Sequence, residues 1–109
     1  MELKIVSHLY NLLTVDANAR AFAENDGIAE VLCELTNRTE GLVTGAFVAA
    51  VGYDHEGRIV AISEVGPWFL YPGQIRPARL VLNARGERLR AIRLFPLTSS
   101  PLLMAHECR

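Results

Sequence analysis

From Leu42 to Tyr53 the chain runs twelve residues without a charge, and that run limits the fold more than any other feature. Val43, Phe47, Val48 and Val51 lie within it, and a continuous apolar stretch of this length reads as a central strand covered on both faces. Asp54-His55-Glu56-Gly57 then supplies turn residues, with glycine where a positive φ is often needed. Arg58 to Glu64 returns through Ile59, Val60 and Ile62, so the two stretches predict an antiparallel hairpin.

Downstream, Gly66-Pro67-Trp68-Phe69-Leu70-Tyr71-Pro72-Gly73 sets an apolar, aromatic middle between glycine and proline breakers. It fits a short edge strand or an ordered loop. Ile75 to Asn83 and Arg88 to Leu97 flank Ala84-Arg85-Gly86-Glu87, which reads as the turn of a second hairpin. A tail from Leu102 to Arg109 follows Thr98-Ser99-Ser100-Pro101.

Upstream the spacing changes. Leu3, Val6, Tyr10 and Leu13 suit an amphipathic helix from about Glu2 to Leu13, with a short first strand from Leu3 to Val6 as the alternative. Asp16 and the alanines at 17, 19, 21 and 23 predict a second helix to about Glu24. Ile28, Val31, Leu32 and Leu35 follow a 3.6-residue period and predict a third. The expected fold is therefore α+β: two or three N-terminal helices packed on a four- to five-stranded, mostly antiparallel β-meander, in a single domain spanning residues 1–109.

A chain of this length buries roughly 65% of its unfolded surface and needs no disulfide or structural metal to fold. Half the residues are apolar and the formal net charge is −1, which excludes disorder and gives no overall attraction to nucleic acid or anionic membrane. The charges are unevenly placed: residues 1–53 hold three cations against seven acids, and residues 54–109 hold eight arginines against five acids. Cys33 and Cys108 make no paired-cysteine framework and are expected to be reduced. No apolar run approaches the length of a membrane span, and no leader-like segment opens the chain, so a cytoplasmic location is expected.

Candidate binding residues come from two clusters. Trp68, Phe69 and Tyr71 offer wide rings that either close one end of the sheet or line a pocket mouth or dimer interface. Arg76 and Arg79, with Arg85, Arg88, Arg90 and Arg93, lie on the expected last hairpin, where guanidinium forks can grip phosphate or carboxylate. Strand parity splits those arginines between two faces and no aromatic residues interleave them, which disfavours nucleic-acid binding. Among acids with apolar neighbours, Asp16, Glu30 and Glu64, Glu64 ends a strand beside the aromatic segment and could act as an acid-base in a pocket. His8, His55 and His106 are too scattered for a metal motif, and neither metal nor cofactor is expected.

Residues 18–37, NARAFAENDGIAEVLCELTN, resemble one helix-turn-helix unit of an armadillo-type repeat, though one unit cannot bury its own face. The expected order of helices and curved sheet, with a last strand reading GERLRAIRLFP, is similar to small nuclear-transport-factor-like cones. That likeness implies a pocket and assigns no residue. The functional expectation is a small non-catalytic binding or interaction protein, homodimeric or joined to another protein, that contacts its partner or a small apolar ligand through the aromatic segment. A small pocket hydrolase or isomerase, and a nucleic-acid binder on the arginine hairpin, are the alternatives.

Overall fold

A computed structural model of the chain describes residues 4–7, 9–10, 13–15, 20–25, 28–84 and 89–98. Nine strands occur among them and no helix, so the expected α+β fold is corrected to an all-β one. The strands are β1 (Lys4–Ser7), β2 (Leu9–Tyr10), β3 (Leu13–Val15), β4 (Arg20–Asn25), β5 (Ile28–Asn37), β6 (Val43–Tyr53), β7 (Ile59–Leu70), β8 (Ile75–Asn83) and β9 (Ala91–Thr98). They form two sheets. One has the order β1-β9-β6-β7; in the other, β2-β3-β5-β4 is joined by β8 on β5. The layer covering the first sheet is a second sheet, where helices had been expected.

The third expected helix is β5, and the reason is a double periodicity. Ile28, Val31, Leu32 and Leu35 fit a helical stripe, yet Ala29, Val31, Cys33, Leu35 and Asn37 fit a two-residue period over the same stretch. The structure buries the second set at 0–6% exposure and turns Glu30, Leu32, Glu34 and Thr36 outward. Pairing decides between them. β8 runs beside β5 in unbroken antiparallel register from Ile28↔Asn83 to Thr36↔Ile75, and β3 and β4 share its other edge. The N-terminal segment likewise holds strands in place of the first two helices: β1 lies parallel to β9 and β4 pairs with β5. Residues 16–19, where the second helix was to begin, lie outside the described residues, and the likeness of 18–37 to a helical repeat unit falls with β5.

The hairpin of β6 and β7 stands as the sequence predicts. β6 is central in its sheet, between β7 and β9, and Gly57 has φ +80° in the turn. The second expected hairpin is absent, since β8 pairs with β5 in one sheet while β9 pairs with β6 in the other. Together the β5–β8 and β6–β7 ladders are two halves of one long hairpin. Its arms cross between the sheets at residues 38–42 and 71–74.

Asn37 fastens both crossings. Its buried side chain donates to the carbonyls of Gly41 (2.9 Å) and Leu70 (2.8 Å), and its Oδ1 accepts from the backbone N–H (2.9 Å) and hydroxyl (2.7 Å) of Thr39. Its backbone carbonyl takes the N–H of Gly73 at 2.8 Å. The core between the sheets is contributed by both: Val31 and Leu35 from β5, Leu80 and Leu82 from β8, Val48 from β6, Ile92 and Leu94 from β9.

Candidate functional site

The aromatic segment is the second half of β7, an edge strand, and its geometry is set by an irregularity just before it. The β6–β7 register shifts between Val43 and Ala46 and again between Ala46 and Val48. Gly66 has φ +134° beside a cis Gly66–Pro67 bond. A Cβ at Gly66 would lie 2.5 Å from Phe47 Cβ and 2.8 Å from the Ala46 carbonyl oxygen, so only glycine fits. After this step the side chains alternate again. Trp68 packs against the core and Leu70 is fully buried, whereas Phe69 and Tyr71 stand 69% and 65% exposed.

A tight turn holds the end of the segment. Tyr71 N–H donates to Gln74 Oε1 and Gln74 N–H to the Tyr71 carbonyl, both at 2.9 Å. Arg76, entering β8, places its guanidinium 4.8 Å from the centre of the Trp68 ring. That contact seals the rim of the sandwich where β7 and β8 overlie one another. Ile75, 55% exposed, lines a separate concavity with Glu34, Thr36 and Gly73.

Four of the five expected site residues, Trp68, Phe69, Tyr71 and Arg76, therefore gather at one corner. Arg79 does not join them: its Nε and Nη2 both reach Glu30 Oε2, at 2.9 and 2.6 Å, across the outward face of the other sheet. With β8 and β9 in different sheets, the arginine hairpin loses its geometry. Arg76 and Arg79 are on β8, Arg93 is on β9, and Arg85 and Arg88 lie outside the described residues.

Glu64 is exposed. With Phe47, Val65, Gly66 and Pro67 it lines a shallow cleft of about 220 Å³ at the β6–β7 irregularity, and it is the sole titratable group among those residues. A larger concavity of about 400 Å³ is lined by Leu32, Cys33, Glu34, Pro77, Ala78 and Arg79. Cys33 is buried; its thiol is pushed up to about 11, mainly by burial and further by the charge of Glu34. A thiol held protonated is a poor nucleophile. His55 sits in the β6–β7 turn, 3.6 Å from Glu56, while Asp16, His8 and His106 lie outside the described residues.

Two structural residues escaped the sequence reading. Asn37 has no role in the sequence reading, and Asp54 enters it only as a turn residue. Asp54 is almost fully buried: its Oδ1 accepts the backbone N–H groups of Glu56 and Arg58 at 2.9 Å, and its Oδ2 accepts Arg58 Nε at 2.8 Å. The Arg58 backbone bond above all, with the guanidinium and the Glu56 N–H, holds its carboxyl below the usual range against the opposing pull of burial. The sequence signal was present, since an Asp opening a four-residue turn commonly binds backbone N–H groups ahead of it.

No protein-family model matches the chain, and no curated protein sequence does. Among solved structures, a beta-glucuronidase from glycoside hydrolase family 2 is similar over 77% of this chain, with 12% identity and a TM-score of 0.46. The chain spans 11% of that protein's length. No helix among the described residues is long and apolar enough to cross a membrane.

Proposed function

We propose that the chain is a small non-catalytic binding module that contacts a protein partner or a small apolar ligand through the Phe69–Tyr71 corner. One observation carries this reading: two rings stand more than three-fifths exposed, two residues apart, on a backbone fixed by the Gly66 step and the Tyr71–Gln74 turn. A rigid aromatic pair gives large contact area at low entropic cost. The neighbouring Trp68–Arg76 stack keeps that corner closed, so binding there requires no opening of the core.

The reading extends to a reducing, cytoplasmic compartment, in keeping with Cys33 as a buried free thiol. Catalysis by Glu64 finds little support, because the carboxylate is exposed and its cleft brings no second titratable group beside it.

The test is the double variant F69A/Y71A in a ligand-library thermal-shift screen beside light scattering. Both rings face solvent, so the melting temperature without ligand should barely change, while ligand-induced shifts found for the wild type should disappear. If every ligand shift and the oligomeric state persist in the variant, the corner is no binding site.

A further inference from the structure

The outward face of the β1-β9-β6-β7 sheet is apolar along its central strand. Strand β6 reads in sequence as covered on both faces, yet among the described residues the second sheet lies on one face only. The other face carries Phe47, Ala49, Val51 and Tyr53 of β6, flanked by Ile62 of β7 and Leu97 of β9 through the pairings Val51↔Ile62 and Phe47↔Leu97. Ile62 is 67% exposed. The outward face of the other sheet is more mixed: Glu30, Glu34, Thr36, Arg79 and Asn83 interrupt the exposed Leu32, Ile75 and Val81, and Arg79 bonds Glu30 across it.

We infer that this apolar face is covered by a second copy of the chain, packed face to face about a two-fold axis running along β6. Charge selects both the occupant and the axis. Glu64 stands beside Ala49 on β7, and Arg93 beside Val51 on β9, so an acid and a base flank the apolar strand on opposite sides. Both are exposed, with Arg93 5.5 Å over the Tyr53 ring. A two-fold axis along β6 lays β7 of each copy over β9 of the other. Glu64 of one then meets Arg93 of its partner, twice per dimer, with one pleat step of about 7 Å for two long side chains to span. An in-plane axis across the strands would set Glu64 near Glu64 and Arg93 near Arg93, which is repulsive. The strands of the facing sheets run within the alignment that packed sheets favour.

This contact is distinct from the Phe69–Tyr71 corner, and sedimentation equilibrium on the full chain separates the two. The wild type is expected to be a dimer. Ile62→Lys, which buries a charge in the interface while leaving the monomer core untouched, should weaken it by about tenfold or more. Glu64→Arg and Arg93→Glu should each do so by like-charge opposition, and the double exchange E64R/R93E should restore the dimer. Far-UV circular dichroism verifies that each variant remains folded. A wild type that stays monomeric up to its solubility limit overturns the inference, and so does a dimer indifferent to I62K or not rescued by the double exchange. Loss of the dimer in F69A/Y71A with retention in I62K would move the contact to the aromatic corner, rejecting this face while sparing the reading of the corner.

Discussion

Asn37 joins three backbone segments with one amide. The group is fully buried, and each of its two oxygen bonds and two nitrogen bonds is made, the condition under which a buried polar side chain is tolerated. Asn37→Ala would leave the Leu70 carbonyl and the Thr39 N–H without their partner inside the fold. A loss of about 2–4 kcal/mol is expected in urea unfolding, since orphaning buried groups costs more than a bond contributes. A loss below about 1 kcal/mol would mean that water replaces the amide. Asp54 gives a prediction in pH. Its carboxyl is lowered from 3.8 on folding, so its contribution is complete above that value and is lost as pH falls through the lower folded value. Asp54→Asn should therefore flatten the acid side of the stability profile, and an unchanged slope below pH 3.8 would remove Asp54 from the linkage.

At the scale of elements, Gly66 and Gly52, two of the three glycines within β6 and β7, make a matched pair. At Gly66 an added methyl strikes Phe47 Cβ and the Ala46 carbonyl, in a conformation of positive φ. At Gly52 it meets Leu89 Cδ2 at 2.6 Å, the far end of a side chain that can turn away. Gly66→Ala should cost about 2–4 kcal/mol and Gly52→Ala about 1–2 kcal/mol, measured by denaturant melts; equal losses would contradict the argument from backbone. These elements also mark how far sequence reading reached. The β6–β7 hairpin was legible because an uncharged run, an Asp-to-Gly turn and an apolar return agree at every level. β5 was not, because its apolar residues satisfy both a helical and a strand period and only its partners on both edges decide. β8 was correctly read as a strand but given the wrong neighbour, since strands adjacent in sequence usually pair and nothing in residues 84–87 signals a change of sheet. The aromatic corner was visible as composition. That Trp68 would turn inward and Phe69 outward depended on the step at Gly66.

For the whole molecule, the decisive fact is that one core lies between the sheets and each contributes to it. Val31, Leu35, Leu80 and Leu82 come from one side, Val48, Ile92 and Leu94 from the other, so neither sheet retains a buried face when they part. The long hairpin links them covalently at both crossings, and Asn37 bonds both crossings at once. Unfolding is therefore expected to be a single cooperative event. The sole tryptophan reports this well, because Trp68 sits at the rim, stacked under Arg76, as far from the β1–β9 pairing as the first sheet allows. Its fluorescence and the far-UV circular dichroism of the strands should follow one denaturation curve. Leu94→Ala, a truncation of a fully buried side chain in β9, should move both probes together to lower denaturant, by about 2–5 kcal/mol. If fluorescence fell first while the dichroism held, the β7–β8 rim would be opening independently of the rest, and the shared core would not be the element that binds the two sheets into one unit.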